Sequence, residues 1–180
     1  MNFLNPSKIA KLLPLKEGMK VADFGCGSGY FSLAIAKLIQ PGGTVIALDI
    51  WKPSLDSLKF RAKTAGLSNT IKTQWANLED EHGSHLPNDF CDLVLVSNIL
   101  FEVEDKNTVI AEARRILKPE GLLVLLEWKA DKLPSKEFLH PLRKDDALTL
   151  LEKYGFKLER ELPLGVTHYG FLTKLINKTK

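Results

Sequence analysis

Apolar residues along this chain fall into two alternating rhythms. Short runs such as "MKVADF" (19–24), "TVIALDI" (44–50), "TIKTQWA" (70–76), "FCDLVLVSNI" (90–99) and "LLVLLEW" (122–128) are dense in β-branched and aliphatic residues and predict strands. Between them lie stretches with a helical period. "YFSLAIAKLIQ" is apolar nearly all round and stops at "PGG", so it predicts a well-buried helix. In "PSLDSLKFRAKTAG" the start signals are Pro53 and Ser54; Leu55, Leu58, Ala62 and Ala65 share one face, and Gly66 stops it. In "DKNTVIAEARRILKPEG" Asp105 caps a helix with Val109, Ile110, Ala113, Ile116 and Leu117 on one side, ended by Pro119 and Gly121. A short helix over "PSKIAKLL" precedes the first strand.

Five strands alternating with helices predict a doubly wound, mostly parallel sheet. The C-terminal pattern changes. After a helix in "DDALTLLEKYG", "FKLEREL" alternates on Phe156, Leu158 and Leu162, and "HYGFLTKLI" follows only "PLGVT" later. A parallel crossover needs a dozen residues or more. These two strands are therefore expected to form an antiparallel hairpin, for seven strands in all. No repeat or linker interrupts residues 1–180, which read as a single domain.

Composition narrows the function classes. The 180 residues are 44% apolar, as a globular chain requires, and the net charge is +3. That balance is too mild for an obligate nucleic-acid binder. Lys174, Lys178 and Lys180 read as a solvated tail. Cys26 and Cys91 have neither metal nor redox spacing, and no metal site is expected. The N-terminus lacks a leader pattern and no apolar run reaches membrane-spanning length, so a cytoplasmic protein is expected.

The chemistry concentrates in "VADFGCGSGYF" (21–31). Gly25, Gly27 and Gly29 follow the first strand, where a doubly wound sheet binds ligands. Glycine there admits positive φ and close ligand approach. Asp49 ends the second strand twenty residues after Gly29, placed to accept ribose hydroxyl hydrogens. A nicotinamide fingerprint would read G-x-G-x-x-G. Here the spacing is G-x-G-x-G with Asp23 two residues before it, a poor neighbour for a pyrophosphate and a good one for an ammonium group. S-adenosylmethionine, with adenosine, ribose and a cationic end, meets these demands.

The stretch resembles motif I of class I S-adenosylmethionine-dependent methyltransferases, D-x-G-x-G-x-G. "ALDI" is similar to their acidic ribose motif. "SNILFEVEDKNTVIAEARRILKPEGLLVLLEW" resembles the type 11 branch, which includes ubiquinone/menaquinone C-methyltransferases. The resemblance covers nearly the whole chain and implies the Rossmann-like methyltransferase fold with its reversed last strand. It implies that Asp23 holds the methionine amino group, directly or through water, while Gly25, Cys26, Gly27 and Gly29 pass under the methionine end. Asp49 would bind the ribose, with Ile50 and Trp51 flanking the adenine. Asn77 stands where the family usually has an Asp facing the adenine amino group, and its side-chain oxygen can still accept that bond; the lesser reading is a simple turn residue. Leu78 would pack beside the adenine and offer its N–H. Ser97 and Asn98 would face the transferable methyl, or cap the next helix.

Catalytic candidates are few. Relatives carry His residues after strand four, where this chain has Phe101 and Glu102. Glu102 is a candidate base or a solvated side chain. His168 and Tyr169 sit at the hairpin mouth, and His140 and Trp128 are further candidates for the acceptor pocket. "SNIL" lacks the N-P-P-Y type motif of nucleic-acid amino-methyltransferases. Cys91 lies at the wrong end of strand four for a cytosine C5 nucleophile. The acceptor is expected to be a small molecule or a protein side chain, with the N-terminal helix and segment 129–142 as the available lids. Two other classes remain open: a fold-retaining binding protein without catalysis, and a nicotinamide-dependent oxidoreductase. The sequence leaves the oligomeric state open.

Overall fold

A computed structural model describes residues 4–133 and 140–176. Lys178, Lys180 and positions 134–139 of the candidate lid lie outside the described residues. The elements run α1 (Pro6–Ala10), β1 (Lys20–Phe24), α2 (Tyr30–Ala36), β2 (Thr44–Asp49), α3 (Lys52–Thr64), β3 (Ile71–Trp75), β4 (Cys91–Ser97), α4 (Lys106–Ile116), β5 (Leu117–Trp128), α5 (Lys144–Lys153), β6 (Phe156–Glu161) and β7 (His168–Leu175). They build one seven-stranded sheet in the order β3-β2-β1-β4-β5-β7-β6. The first five strands are parallel and β7 is antiparallel to both β5 and β6.

The strands are apolar on both faces because both are covered. Alternation along each strand splits the core in two. Ala22, Phe24, Val94, Val96, Leu123 and Leu125 face α4 and α5. Val21, Leu93, Leu95, Val124 and Leu126 face α1, α2 and α3. Each fully buried side chain of this size contributes about 1.5–3 kcal/mol over leaving it exposed.

Three departures from the sequence pattern have a plain physical reason. The α4 helix stops at Ile116, not at Pro119, because Leu117 turns extended and pairs with Cys91 in the β4–β5 ladder. Its apolar side chain is buried in either setting, so periodicity alone does not separate the two. Ala65, expected on the buried face of α3, is its exposed C-cap. Lys174 belongs to β7 and pairs with Glu120 at 2.6 Å rather than trailing in solvent. The Asp105 cap is as expected: its carboxylate accepts the Asn107 and Thr108 N–H groups.

The topology reverses between β1 and β4, whose carboxyl ends leave a crevice. Among the described residues no helix is long and apolar enough to cross a membrane, and no group of three or more His, Cys, Asp or Glu could hold a metal ion.

Candidate cofactor and acceptor clefts

Two clefts open at that crevice. The first, about 470 Å³, is lined by Gly25, Gly27, Asp49, Ile50, Trp51, Ser54, Ala76, Asn77, Leu78, Glu79, Asn98, Ile99, Glu102 and Val103. The second, about 430 Å³, is lined by Leu4, Pro6, Asp23, Gly25, Cys26, Tyr30, Phe31, Ser97 and Asn98. They share Gly25 and Asn98, so the two volumes meet at the strand reversal.

The glycine loop is shaped by its ends. Gly25 has φ +67°, and a Cβ there would lie 2.1 Å from the Ile99 methyl, so only glycine lets the two segments touch. Asp49 fixes the loop from the neighbouring strand. Its Oδ2 accepts the Gly27 N–H and its Oδ1 the Trp51 N–H, both at 2.8 Å. Each oxygen keeps a second lone pair for a ligand hydroxyl. Gly29, which lines neither cleft, has another duty. It begins α2 at φ +77°, and a Cβ would drive into Leu58, so it lets α2 lie close on α3.

Asp23 is buried on the second side. Its Oδ2 accepts from the Ser32 hydroxyl at 2.5 Å. Desolvation, against the Ser32 hydrogen bond and reinforced by the charge of Asp49, raises its pKa to about 6. Such a carboxyl invites a cation. Beside it the Cys26 thiol is pushed well above its ordinary range, first by burial and then by Asp23 and Asp49. It is a small neutral wall residue, not a thiolate nucleophile.

Asn77 serves the turn reading: its Oδ1 accepts the Glu79 N–H at 3.2 Å and its Nδ2 donates to Asp80 at 2.9 Å. One lone pair of that oxygen remains available toward the cleft. Leu78 is buried and supplies apolar surface. Ser97 ends β4 in the second cleft. Asn98 follows in the left-handed region at φ +54°, tolerable for Asn. Its Oδ1 is buried without a partner, an acceptor awaiting a donor in a site both clefts reach.

The catalytic candidates separate. Glu102 lines the first cleft; partial burial and the charge of Asp49 raise its pKa. His168 and Tyr169 line neither cleft. His168 packs on Trp128 with ring centroids 3.9 Å apart, and burial lowers its pKa to about 4, which keeps it neutral. Its Nδ1 lies 2.9 Å from the Thr167 hydroxyl, and its Nε2 is unpartnered. Tyr169 donates to the Leu142 carbonyl at 2.8 Å on the other face of the sheet. His140 is exposed, and its N–H donates to the Phe101 carbonyl. Cys91 is buried at the start of β4, away from both clefts, with its thiol pushed up to about 12 by burial.

Several lining residues escape the sequence pattern. Leu4, Pro6, Tyr30 and Phe31 form an apolar wall of the second cleft, and no motif in the sequence singles them out. Ile99 and Glu79 line the first.

A glycine loop and an acidic strand end at the switch point of a doubly wound sheet define a nucleoside-binding α/β protein. A family model described as a methyltransferase domain matches residues 15–155, and the chain belongs to that family. Demethylmenaquinone methyltransferase from Lactobacillus johnsonii is 33% identical over 122 residues, covering 67% of this chain and 48% of that protein. The ubiquinone/menaquinone biosynthesis C-methyltransferase of Vibrio campbellii is 29% identical over 143 residues, covering 79% of this chain and 50% of that one. The chain thus spans about half the length of the curated relatives it matches. Among solved structures, a SAM dependent methyltransferase from Aquifex aeolicus superposes with TM-score 0.82 at 23% identity, over 96% of this chain and 90% of that one. The [4+2]-cyclase SpnF superposes with TM-score 0.81 at 14% identity, over 95% of this chain and 79% of that one, so the fold also carries other chemistry.

Proposed function

We propose that residues 1–180 form one S-adenosylmethionine-binding domain that transfers the cofactor's methyl group to an acceptor held under α1. The observation that carries this reading is the Asp49 carboxylate, pinned by Gly27 and Trp51 at the mouth of the first cleft. There it presents lone pairs to a ribose. Ile50, Trp51, Leu78 and Ala76 supply the apolar sides of an adenine slot, and Asn77 an acceptor for its amino group. Asp23 and the Gly25–Cys26–Gly27 backbone take the cationic methionine end where the clefts meet.

Bound S-adenosylmethionine supplies an electrophilic methyl on a sulfonium that leaves as a neutral thioether. The chain's task is alignment, and placement of this kind is worth effective molarities of roughly 10⁵ M or more. Ser97 and Asn98, beside the shared floor, orient the acceptor; the unpartnered Asn98 Oδ1 takes its hydroxyl or amino hydrogen. A protein base is needed only where that atom must lose a proton, and Glu102, on the wall of the adjoining first cleft, is the candidate.

The wall of Leu4, Pro6, Tyr30 and Phe31 is largely apolar, which supports an acceptor with an apolar face. The names of the curated relatives point to quinone-type rings for such an acceptor. A cytoplasmic setting accords with two free, buried cysteines.

Calorimetric titration with S-adenosylhomocysteine and, separately, NADH tests the cofactor. Binding of the first alone is expected; binding of NADH alone would replace the reading with an oxidoreductase. Isotope-labelled methyl transfer into a cell extract, fractionated into small molecules and protein, tests the acceptor. Binding without any labelled product would favour a non-transferring role, as the shared fold of a cyclase allows.

A further inference from the structure

Two carboxylates beyond the expected set grip the segment that follows β4. Glu127 lies near the end of β5 and is fully buried; its Oε2 accepts the Leu100 N–H at 3.0 Å and its Oε1 the Trp128 N–H at 2.8 Å. Glu79 is exposed on the β3–β4 connection. Its Oε1 alone accepts two successive N–H groups, Glu104 at 2.8 Å and Asp105 at 3.0 Å. Glu102 and Val103 lie between these anchors, Asn98 and Ile99 just before the first, and all four line the first cleft.

That stretch has little support of its own. The Asn98 N–H reaches back to the Leu126 carbonyl, and the Glu102 and Val103 N–H groups turn onto the Ile99 carbonyl. No helix or strand covers residues 98–105. Yet Ile99 must sit against Gly25 for the cleft to keep its width. A carboxylate bonded to a backbone N–H is about twice as strong an anchor as a neutral acceptor.

We propose that Glu79 and Glu127 are positioning residues for the transfer reaction: they hold segment 98–105 at Leu100 and at Glu104–Asp105 and so set the wall that closes on bound S-adenosylmethionine. The proposal rests on the function read above. Glu79 ties the adenine-side loop to the residues just before α4, and Glu127 ties Leu100, beyond the end of β4, to β5. Neither needs to touch the reacting atoms.

The two differ in a way that makes the test sharp. Glu79 uses one oxygen for both bonds, so Glu79→Gln keeps the acceptor while Glu79→Ala removes it. Glu127 uses both oxygens, so Glu127→Gln must face one N–H with an NH₂ group. On the full chain, Glu79→Ala should speed amide hydrogen exchange at Glu104 and Asp105 and weaken S-adenosylhomocysteine binding roughly tenfold by calorimetry. Glu79→Gln should restore both, to within about threefold of wild type. Glu127→Gln should speed exchange at Leu100 or Trp128 and weaken binding without that rescue. Wild-type affinity in Glu79→Ala, or a Glu79→Gln as weak as Glu79→Ala, overturns the proposal. Failure of the wild-type chain to bind overturns the cofactor reading itself; wild-type binding with an indifferent Glu79→Ala overturns the clamp alone.

Discussion

Asp23 carries the clearest pH signature. Burial lifts its carboxyl from 3.8 to about 6, so the native chain holds a proton that the unfolded chain releases between those values. Stability should therefore fall as pH rises from about 4 to about 6 and stay lower above. Glu127, lifted to about 7 by burial, adds a second loss that extends the window upward. Asp23→Asn keeps an acceptor for Ser32 and should remove the lower part of the slope in thermal melts taken across pH. Cofactor binding should run the opposite way. An ionised Asp23 pairs with the ligand ammonium, so S-adenosylhomocysteine affinity should rise roughly tenfold between pH 5 and 7. The Asn variant should bind weakly and show a flat profile. Asp49→Ala removes the anchor of two N–H groups and the ribose acceptor together, and affinity should drop more than about a hundredfold. Gly25→Ala should cost about 1–3 kcal/mol, since the Cβ must displace Ile99 and sit at positive φ. A second change, Ile99→Ala, should recover part of that loss in chemical denaturation, because it vacates the contested space.

Among the elements, the long β3–β4 connection holds its form by a latch on α4. Glu112, 3% exposed, accepts the Ser84 N–H at 2.9 Å and both Arg115 Nε and Nη2. Arg115 in turn donates to the Leu86 carbonyl and to Asn88. Glu112→Ala would take the carboxylate from the Arg115 guanidinium and the acceptor from the Ser84 N–H, and should cost about 2–4 kcal/mol, read as a lower melting temperature. Nothing in the sequence pattern marks this latch, since Glu112 falls where a solvated helix face would also place a charge. The same blindness hides Glu79. Its partners are backbone N–H groups twenty-five and twenty-six residues away, and main-chain donors carry no residue signature. Glu127 did leave a trace: it is the sole charge in "LLVLLEW". A carboxylate inside an otherwise apolar strand must be paired, and its partner can be sought at the neighbouring strand's end.

At the scale of the molecule, strand order was legible because the physics is local and repetitive. Five apolar runs with intervening helices permit few topologies, and a five-residue link between the last two strands forces the reversal. The cofactor side of the site was legible for a related reason: Gly25, Gly27 and Asp49 lie on adjoining parallel strand ends, where sequence order fixes position. The second cleft was not. Leu4 reaches it from just before α1, Pro6 from α1, and Tyr30 and Phe31 from the first turn of α2, so its lining is assembled by packing rather than by motif. His168 and Tyr169 show the reverse error. Their place at a hairpin mouth suggested an overhang, yet strand alternation turns Tyr169 to the α4–α5 face and sets His168 against Trp128. The hairpin is instead a structural wall. Phe156, Phe171 and Leu175 are buried in the α4–α5 core, and β7 pairs with β5 over seven residues. Ending the chain after Tyr154 should abolish cooperative unfolding by circular dichroism, as it strips the β7 partner from β5 and opens that core.

The chain contains three tryptophans, and their settings differ. Trp128 is buried under His168, Trp75 is tied to the Ile50 carbonyl, and Trp51 stands 65% exposed on the rim of the first cleft. The protein therefore contains its own optical reporter. A nucleoside settling into that cleft must cover the Trp51 indole, shifting its emission to shorter wavelength or quenching it by stacking, while Trp128 gives a constant background. Trp51→Phe should silence the signal, which turns an ordinary fluorimeter into a binding assay that needs no label and no knowledge of the acceptor.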